Sequence, residues 1–386
     1  MQFTPEHEQI RDTVRKFVAN EINPFTAEWE KAGIFPAHEV FKKMGNEGYL
    51  GLTKPEEFGG AGLDYSYAIV LAEELGRLPS GGVSLAVGVQ TDMCTPALAR
   101  FGSDELRKEF LAPAIAGDMV GCIGVSEVGG GSDVAALKTT AKKDGGNWVI
   151  NGGKMWITNG MQADWCCLLA NTSAEGGPHR NKSLIMVPMD AKGISRQKII
   201  KVGMDASDTA QLFFDDVRLP GDALVGEPEA ALSQLFAGLN PERIMGAASA
   251  IGMGRFALEK AVAYAKDRTV WKTPIGAHQA IAHPLAAGKV ELEMAKLMMQ
   301  KAATLYDAGD DWGAAEPANM AKYAAAEAST KLVDQAVHTL GGNGLTSEYG
   351  LAPMLALVRI AKVAPVSREM ILNFVAQTSL GLPKSY

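Results

Sequence analysis

Residues 120–133 read VGCIGVSEVGGGSD, and the hydrophobic period changes within them. Ahead of this stretch apolar residues recur every three to four positions. After it they come in short runs cut by Gly, Asn, Asp and Pro, which reads as helices giving way to strands. Upstream, Thr4 before Pro5 suits an N-cap followed by proline in the first turn, and Ile10, Val14, Phe17, Val18 and Ile22 follow at helical spacing. Helical stretches at 37–48, 65–76, 85–101 and 103–115 complete an N-terminal helical domain over residues 1–120. Downstream, 120–126, 148–150, 155–158, 165–171, 183–188, 199–202 and 210–214 predict the strands of a small antiparallel β-domain, barrel or sandwich, over residues 121–235. No strand-helix-strand alternation occurs there, so a dinucleotide-binding Rossmann arrangement is unsupported. The helical period returns at Asn240, where Asn240 suits a cap and Pro241 a first turn. Long helices are predicted to about Lys266, over 279–306 and over 317–340, with shorter ones after Gly344, which gives a C-terminal four-helix bundle over 236–386. The fold class is mainly α with a central β-domain.

Composition bounds what this architecture does. The 386 residues suit two or three domains, and 47% hydrophobic with 21% charged residues excludes a disordered or fibrous chain. The 42 glycines exceed the usual share of about 7% without a collagen period, so many backbone positions turn tightly or lie close to a ligand. A net charge of -7 with no long basic run argues against nucleic acid and anionic membranes as partners. Cys94, Cys122, Cys166 and Cys167 show no CxxC spacing, and no metal-ligand pattern emerges. With no apolar segment long enough to span a membrane and no leader-like start, a cytoplasmic protein is expected.

Five segments carry chemistry. At the exit of the first strand, Ser126 to Asp133 offers glycine N–H groups and two hydroxyls to an anion or an electron-rich ring, or is a plain turn. In Lys154 to Gly160, alternation puts Trp156 and Thr158 on one side of a strand, suited to a flat conjugated cofactor and equally to a half-buried wall. Glu242 in Asn240-Pro241-Glu242-Arg243 is either a stabilising charge at a helix start or a general base. Arg268, Trp271 and Gln279 gather a cation, an aromatic face and an amide near a helix end, as a pyrophosphate and an adenine require. Gly341 to Gly344 ends a helix as a cap or as a close-approach surface.

Taken in this order, the segments resemble the acyl-CoA dehydrogenase family of flavoproteins. The most specific matches are SEVGGGSDVAALK (126–138), KMWITNG (154–160), SDTAQLFFDDVRLP (207–220) and GGNG (341–344), and the resemblance covers essentially the whole chain. It implies an FAD enzyme that converts an acyl-CoA to a trans-2-enoyl-CoA and passes electrons to an electron-transfer flavoprotein. It further implies a homotetramer, a dimer of dimers whose cofactor sites use two subunits. By the same resemblance Ser126 and Thr158 hydrogen-bond the flavin with Trp156 beside it, and Ser132 and Arg243 contact the acyl-CoA. Arg268, Trp271 (where phenylalanine is usual), Gln279, His338 (where glutamine is common), Gly341 and Gly342 serve the FAD phosphates and adenine of a neighbouring subunit.

One departure bears on mechanism. Most members of the family place the catalytic carboxylate in a Tyr-Glu-Gly-Thr segment after the glycine tetrad, whereas this chain has VAPVSREM at 363–370. An ungapped match puts Arg368 at the base position, and a short deletion puts Ala364 there. Some members instead carry the base at the start of the first bundle helix, in a segment ending Glu-Arg. Glu242-Arg243 matches that pattern, so Glu242 is the expected base and Glu369 the alternative. Chain-length selectivity is expected from helices between Tyr65 and Ala99 and from the first bundle helix. Related chemistry on the same scaffold, as desulfinase or oxidase, and a nucleic-acid-associated flavin-binding relative are the competing readings.

Overall fold

A computed structural model describes residues 3–384. The N-terminal helices are α1 (Pro5–Phe17), α2 (Thr26–Ala32), α3 (Ala37–Asn46), α4 (Tyr65–Leu75), α5 (Gly81–Gly88), α6 (Thr95–Phe101), α7 (Asp104–Leu106) and α8 (Ala112–Ile115). A π-helical turn over Val89–Cys94 joins α5 to α6. Its Gln90 is buried and fully used: Nε2 donates to the Ala114 and Met119 carbonyls at 3.1 and 2.8 Å, and Oε1 accepts from Gly121 N at 2.7 Å. The helical layer and the first strand are thereby fixed to each other.

The sheet comprises β1 (Gly121–Gly124), β2 (Thr140–Asp144), β3 (Asn147–Ile157), β4 (Trp165–Asn171), β5 (Lys182–Pro188), β6 (Ile194–Lys198), β7 (Ala210–Pro220) and β8 (Leu224–Val225), in the order β6-β7-β3-β2-β4-β5-β8 with β1 also on β4. Most pairs are antiparallel as expected, but β1 runs parallel to β4, with Gly121 opposite Trp165, so the sheet is mixed. The cause is topological: the β2–β3 hairpin lies between β1 and β4 in the chain, which allows β4 to return in the direction of β1. A side chain at Gly121 would run into the Trp165 ring, so glycine is what permits that approach. The run expected as a strand at 199–202 is loop, with Ile200 and Val202 86% and 90% exposed, and the edge strand lies just before it. Two expected strands, 148–150 and 155–158, are one, since Asn151-Gly152-Gly153 continues in β3. β2 has only Ala141 buried and lacks a legible apolar alternation.

The C-terminal helices are α9 (Ala231–Asp267), α10 (Gln279–Asp307), α11 (Asp311–Leu340), α12 (Ala352–Val363) and α13 (Arg368–Thr378). The start expected at Asn240 is wrong: α9 begins at Ala231 and Pro241 lies inside it. Asn240 does not cap. Its Nδ2 donates to the Asp311 carbonyl at 2.7 Å, tying α9 to the start of α11. Likewise α11 begins at Asp311, capped by Asp310, and Pro317 lies within it. The three long helices pack through small residues, Ala247, Ala248, Ala295, Ala302, Ala321 and Ala325 among them, which lets the axes approach closely. No helix among the described residues is long and apolar enough to cross a membrane.

Candidate active site

The loop after β1 is held from beneath by a buried ion pair. Lys154 Nζ donates to Glu127 Oε1 (2.8 Å) and to the Val125 carbonyl (3.0 Å), while Glu127 also accepts from the backbone N–H groups of Lys138 (2.7 Å) and Thr139 (3.0 Å). Although burial opposes it, this set of donors holds the Glu127 carboxyl down at about 2. Burial also lowers Lys154, so the lysine bears a desolvation cost that offsets part of the carboxylate's gain. The result is a rigid hairpin at Glu127–Gly130 with Ser126 at its root and Ser132 exposed on its outer side.

Met155 N donates to the Ser126 carbonyl at 2.9 Å, which places β3 beside that root. Between Lys154 and Ile157, β3 advances three residues while β7 advances two, so a β-bulge occurs where Trp156 takes a positive φ of 65°. Bulges redirect side chains. Trp156 is accordingly 57% exposed although the neighbours on either side in the strand are partly or fully buried. Thr158, half-buried, follows just past the strand. Asn159, fully buried, donates to the carbonyls of Ala86 and Gly121 at 3.2 and 3.1 Å. Ser126 and the end of β3 that carries Trp156 are thus held side by side, and Asn159 just beyond Thr158 ties that end to α5.

A narrow cavity lies between α4, α5 and α9, lined by Ala68 and Leu71 of α4, Val87 and Thr91, and Met245 and Ser249 of α9. These are the elements expected to set chain-length selectivity. Glu242 stands one turn before Met245, at i, i+3 and i+7 with the two α9 residues of the wall, so it shares their face. Protein surrounds its carboxylate closely even though the residue keeps some open surface. Burial, with Asp92 adding to it and Arg243 opposing, pushes the Glu242 carboxyl up to about 8. Arg243 donates to Asn319 Oδ1 on α11 and to the Leu239 carbonyl of its own helix, both at 2.9 Å.

A second group lies at the far end of the helices. Trp271 and Lys272 both take positive φ in the turn of a two-stranded hairpin, and Trp271 is 86% exposed. Arg268, Gln279 and His338 are exposed around it. Gly341 has φ 59°, which favours glycine, and neither there nor at Gly342 would a side chain meet any atom within 4 Å. Asn343 Nδ2 donates to the Tyr264 hydroxyl at 3.1 Å, and the Tyr264 carbonyl accepts from Arg268 N, so the glycine turn and the hairpin form one surface. Among the described residues no hydrogen bond or ring contact joins this surface to Ser126, Trp156 or Thr158.

Models of the acyl-CoA dehydrogenase N-terminal, middle and C-terminal domains match residues 4–118, 122–217 and 232–380. The acyl-CoA dehydrogenase FadE12 of Mycobacterium tuberculosis is 48% identical over 381 residues, 99% of this chain and 97% of that protein. The chain belongs to the acyl-CoA dehydrogenase family. It is an oxidoreductase of that family, and solved members share its fold. The acyl-CoA dehydrogenase from Geobacillus kaustophilus superposes with a TM-score of 0.93 at 31% identity, covering 98% of this chain and 99% of its own. A glutaryl-CoA dehydrogenase from Mycobacterium smegmatis in complex with FADH2 does so with 0.92 at 29% identity, covering 100% and 97%.

Within the acyl-CoA dehydrogenase frame, the segment where most members carry the base packs on α9. Lys322 Nζ, buried in α11, donates to the Val366 carbonyl at 2.6 Å, and Pro365 lies beside Gly246, one turn past Glu242. Ala364 there offers no carboxylate. Glu369 stands at the start of α13 with 73% of its side chain exposed, beside Arg368 at 3.5 Å. A solvated carboxylate lacks the burial that lifts Glu242. Sequence reasoning passed over Glu127, Lys154, Gln90 and Asn159, which position the loop after β1 and the end of β3. A lysine and a glutamate flanking a glycine loop look like ordinary surface charges until a strand pairing brings them together.

Proposed function

We propose that the protein is an FAD-dependent dehydrogenase that converts an acyl-CoA thioester to its trans-2-enoyl-CoA. The observation that carries this is a largely enclosed carboxylate, Glu242, one turn before Met245 on the α9 face that lines a narrow, largely apolar cavity. A base must take a weakly acidic α-proton, and a carboxyl held near the working pH does so better than an ordinary one. Glu242 removes the α-proton and keeps it, while the β-hydrogen departs with its electron pair and the Cα–Cβ double bond forms. FAD, when bound, supplies the acceptor for that hydride.

The residues fit such a group. Trp156 offers an exposed indole face on a bulge, with Ser126 at the root of the adjoining loop and Thr158 just past the strand. Ser132 stands on the outer side of the loop toward the acyl-CoA, joined by Arg243, whose cation also tempers the proton affinity of Glu242. Arg268, Trp271, Gln279, His338, Gly341 and Gly342 supply a cation, a ring, amide and imidazole donors and open backbone for phosphates and adenine. As the resemblance implies, this surface serves the cofactor of a neighbouring subunit in a homotetramer, a dimer of dimers. Electrons pass on to an electron-transfer flavoprotein, and the enzyme is cytoplasmic.

Anaerobic mixing with straight, branched and aromatic acyl-CoAs tests the reading. Bleaching of the bound flavin by at least one of them is expected, and bleaching by none would overturn dehydrogenation. Glu242→Gln is expected to bind FAD and acyl-CoA while flavin reduction falls by at least ~10²-fold, the lower range for a positioned base. Retention of this carboxylate favours dehydrogenation over desulfinase or oxidase chemistry. The net charge of -7 disfavours a nucleic-acid role, which titration with DNA at physiological salt checks.

A further inference from the structure

Behind Glu242, α4, α9, α10 and the π-helical turn meet at Tyr65. Its backbone N–H donates to Asp307 Oδ1 at the end of α10 at 2.8 Å. Its hydroxyl lies 2.5 Å from Asp92 Oδ1 on the π-helical turn and 2.7 Å from the carbonyl oxygen of Pro241, the residue before Glu242. Asp92 Oδ2 is 2.6 Å from Thr91 Oγ1, which is itself 2.9 Å from the Val87 carbonyl. Tyr65 and Asp92 are only 4% and 5% exposed, and with Pro241 they line a cavity that Lys54, Arg100 and Tyr306 also border.

Protons can be counted in this cluster. Four short oxygen-to-oxygen contacts share two hydroxyl hydrogens, one on Tyr65 and one on Thr91. If Asp92 were ionised, Tyr65 would serve either the carboxylate or Pro241, and the other pair would face oxygen to oxygen with nothing between. A proton on Asp92 Oδ1 would let Asp92 donate to Tyr65 and Tyr65 to the Pro241 carbonyl, while the one Thr91 hydrogen is still shared between the Val87 carbonyl and Asp92 Oδ2. Lys54 Nζ donates to the Thr91 carbonyl at 2.6 Å, and its charge opposes the effect of burial on Asp92. Burial raises the carboxyl of Asp92 and the hydroxyl of Tyr65. The other charged or titratable groups facing the cluster are Glu242 and Arg243 on α9, Tyr306 and Asp307 on α10, and Arg100 on α6.

The pin sits where the helix needs one. Pro241 has no N–H, so α9 lacks one ladder bond in the turn that carries Glu242. We propose that Asp92 is a positioning residue for the base: it orients the Tyr65 hydroxyl, which lies on the Pro241 carbonyl, and so fixes the turn that presents Glu242. This rests on Glu242 being the base.

The test uses FAD-loaded enzyme and whichever of butyryl-, isovaleryl- and octanoyl-CoA bleaches the native flavin fastest. Tyr65→Phe and Asp92→Ala are expected to slow flavin reduction about 10-fold, with acyl-CoA affinity within about threefold, because a misplaced base loses rate rather than binding. Once the turn loosens and water reaches Glu242, the acidic limb of the rate profile should move down by about one pH unit. Asp92→Asn, which can still donate to Tyr65 and accept from Thr91, should recover most of the rate lost in Asp92→Ala. A non-reducible 3-thiaacyl-CoA gives a readout without turnover: the pH midpoint of its charge-transfer band with the flavin should shift with the acidic limb. Native rates in both variants overturn the proposal. So does a rate loss with no shift of the limb, or no recovery in Asp92→Asn, since either assigns the cluster to the fold. If Tyr65→Phe does not retain FAD, the Asp92→Ala and Asp92→Asn pair decides. Should Glu242→Gln reduce its flavin at the native rate, the base assignment itself falls; if Glu242→Gln is inactive while the Tyr65 and Asp92 variants are native, only the positioning role does.

Discussion

Glu242, the proposed base, has a burial that also weakens the fold. The unfolded chain releases this proton in the ordinary carboxylate range, near 4.5, whereas the native chain holds it to about 8. Stability is therefore fully present below the lower value and declines as pH rises to the upper one. Glu242→Gln should raise the melting temperature, with the gain nearly absent at pH 4 and at most about 4 kcal/mol at pH 8, and melting curves at those two pH values check it. Glu127 behaves oppositely. Its carboxyl is held down at about 2, so its contribution is present above the ordinary range and is lost as pH falls toward 2. Glu127→Gln would leave Lys154 buried without its anion, a change that typically costs about 3–5 kcal/mol, so melting temperature and FAD retention should both drop. Replacing the pair together by Glu127→Leu and Lys154→Met should cost less than the single change, which a double-mutant cycle reads. Of the proposed site, Ser126, Trp156, Glu242 and Gly341 drew attention in the sequence because they sit in short motifs with their own chemistry. Residues that act by holding others, such as Gln90, Asp92 and Glu127, become visible only when distant segments meet.

At the scale of elements, the sequence resolved periodic stretches and mistook punctuation. Gln279 to Tyr306 and Trp165 to Asn171 were read nearly to the residue, because an uninterrupted apolar period admits one interpretation. Asn240-Pro241 looked like a helix start since that pair is favoured there, yet burial of Ala231 and Leu232 extends α9 back past it. A proline inside a helix costs about 3 kcal/mol relative to alanine when nothing compensates, and α9 keeps one in the turn that bears the base. Pro241→Ala should therefore restore a ladder bond and raise the melting temperature while slowing flavin reduction, because a straightened turn moves Glu242. Stability and rate changing in opposite directions is the outcome to look for. If both rise, the proline has no part in placing the base. The mixed sheet was missed for a related reason: strand period reports which face is buried but not strand direction, and β1 pairs with β4 across the intervening hairpin.

For the whole molecule, the question is what covers its exposed apolar surface. Val290, Met294 and Leu297 recur at i, i+4 and i+7 on α10 and are 57%, 58% and 66% exposed, so one face of a long helix presents an apolar stripe to solvent. At the end of the same helical unit Trp271 projects from a turn whose two central residues both take positive φ, a conformation that non-glycine residues adopt at a cost. The surface proposed above to serve a neighbour's cofactor lies beside it. Together these features favour assembly with further copies of the chain, in which α10 packs against a neighbour. Met294→Glu with Leu297→Lys should therefore lower the mass measured by light scattering from that of a tetramer to that of a smaller species, without unfolding the monomer, since both side chains are already largely solvent-exposed. Separated subunits should also lose FAD, because the group around Arg268 would no longer reach a neighbour's cofactor. A tetramer that persists with both changes would remove α10 from the interface. Dissociation with FAD fully retained would show instead that a single chain completes its own cofactor site.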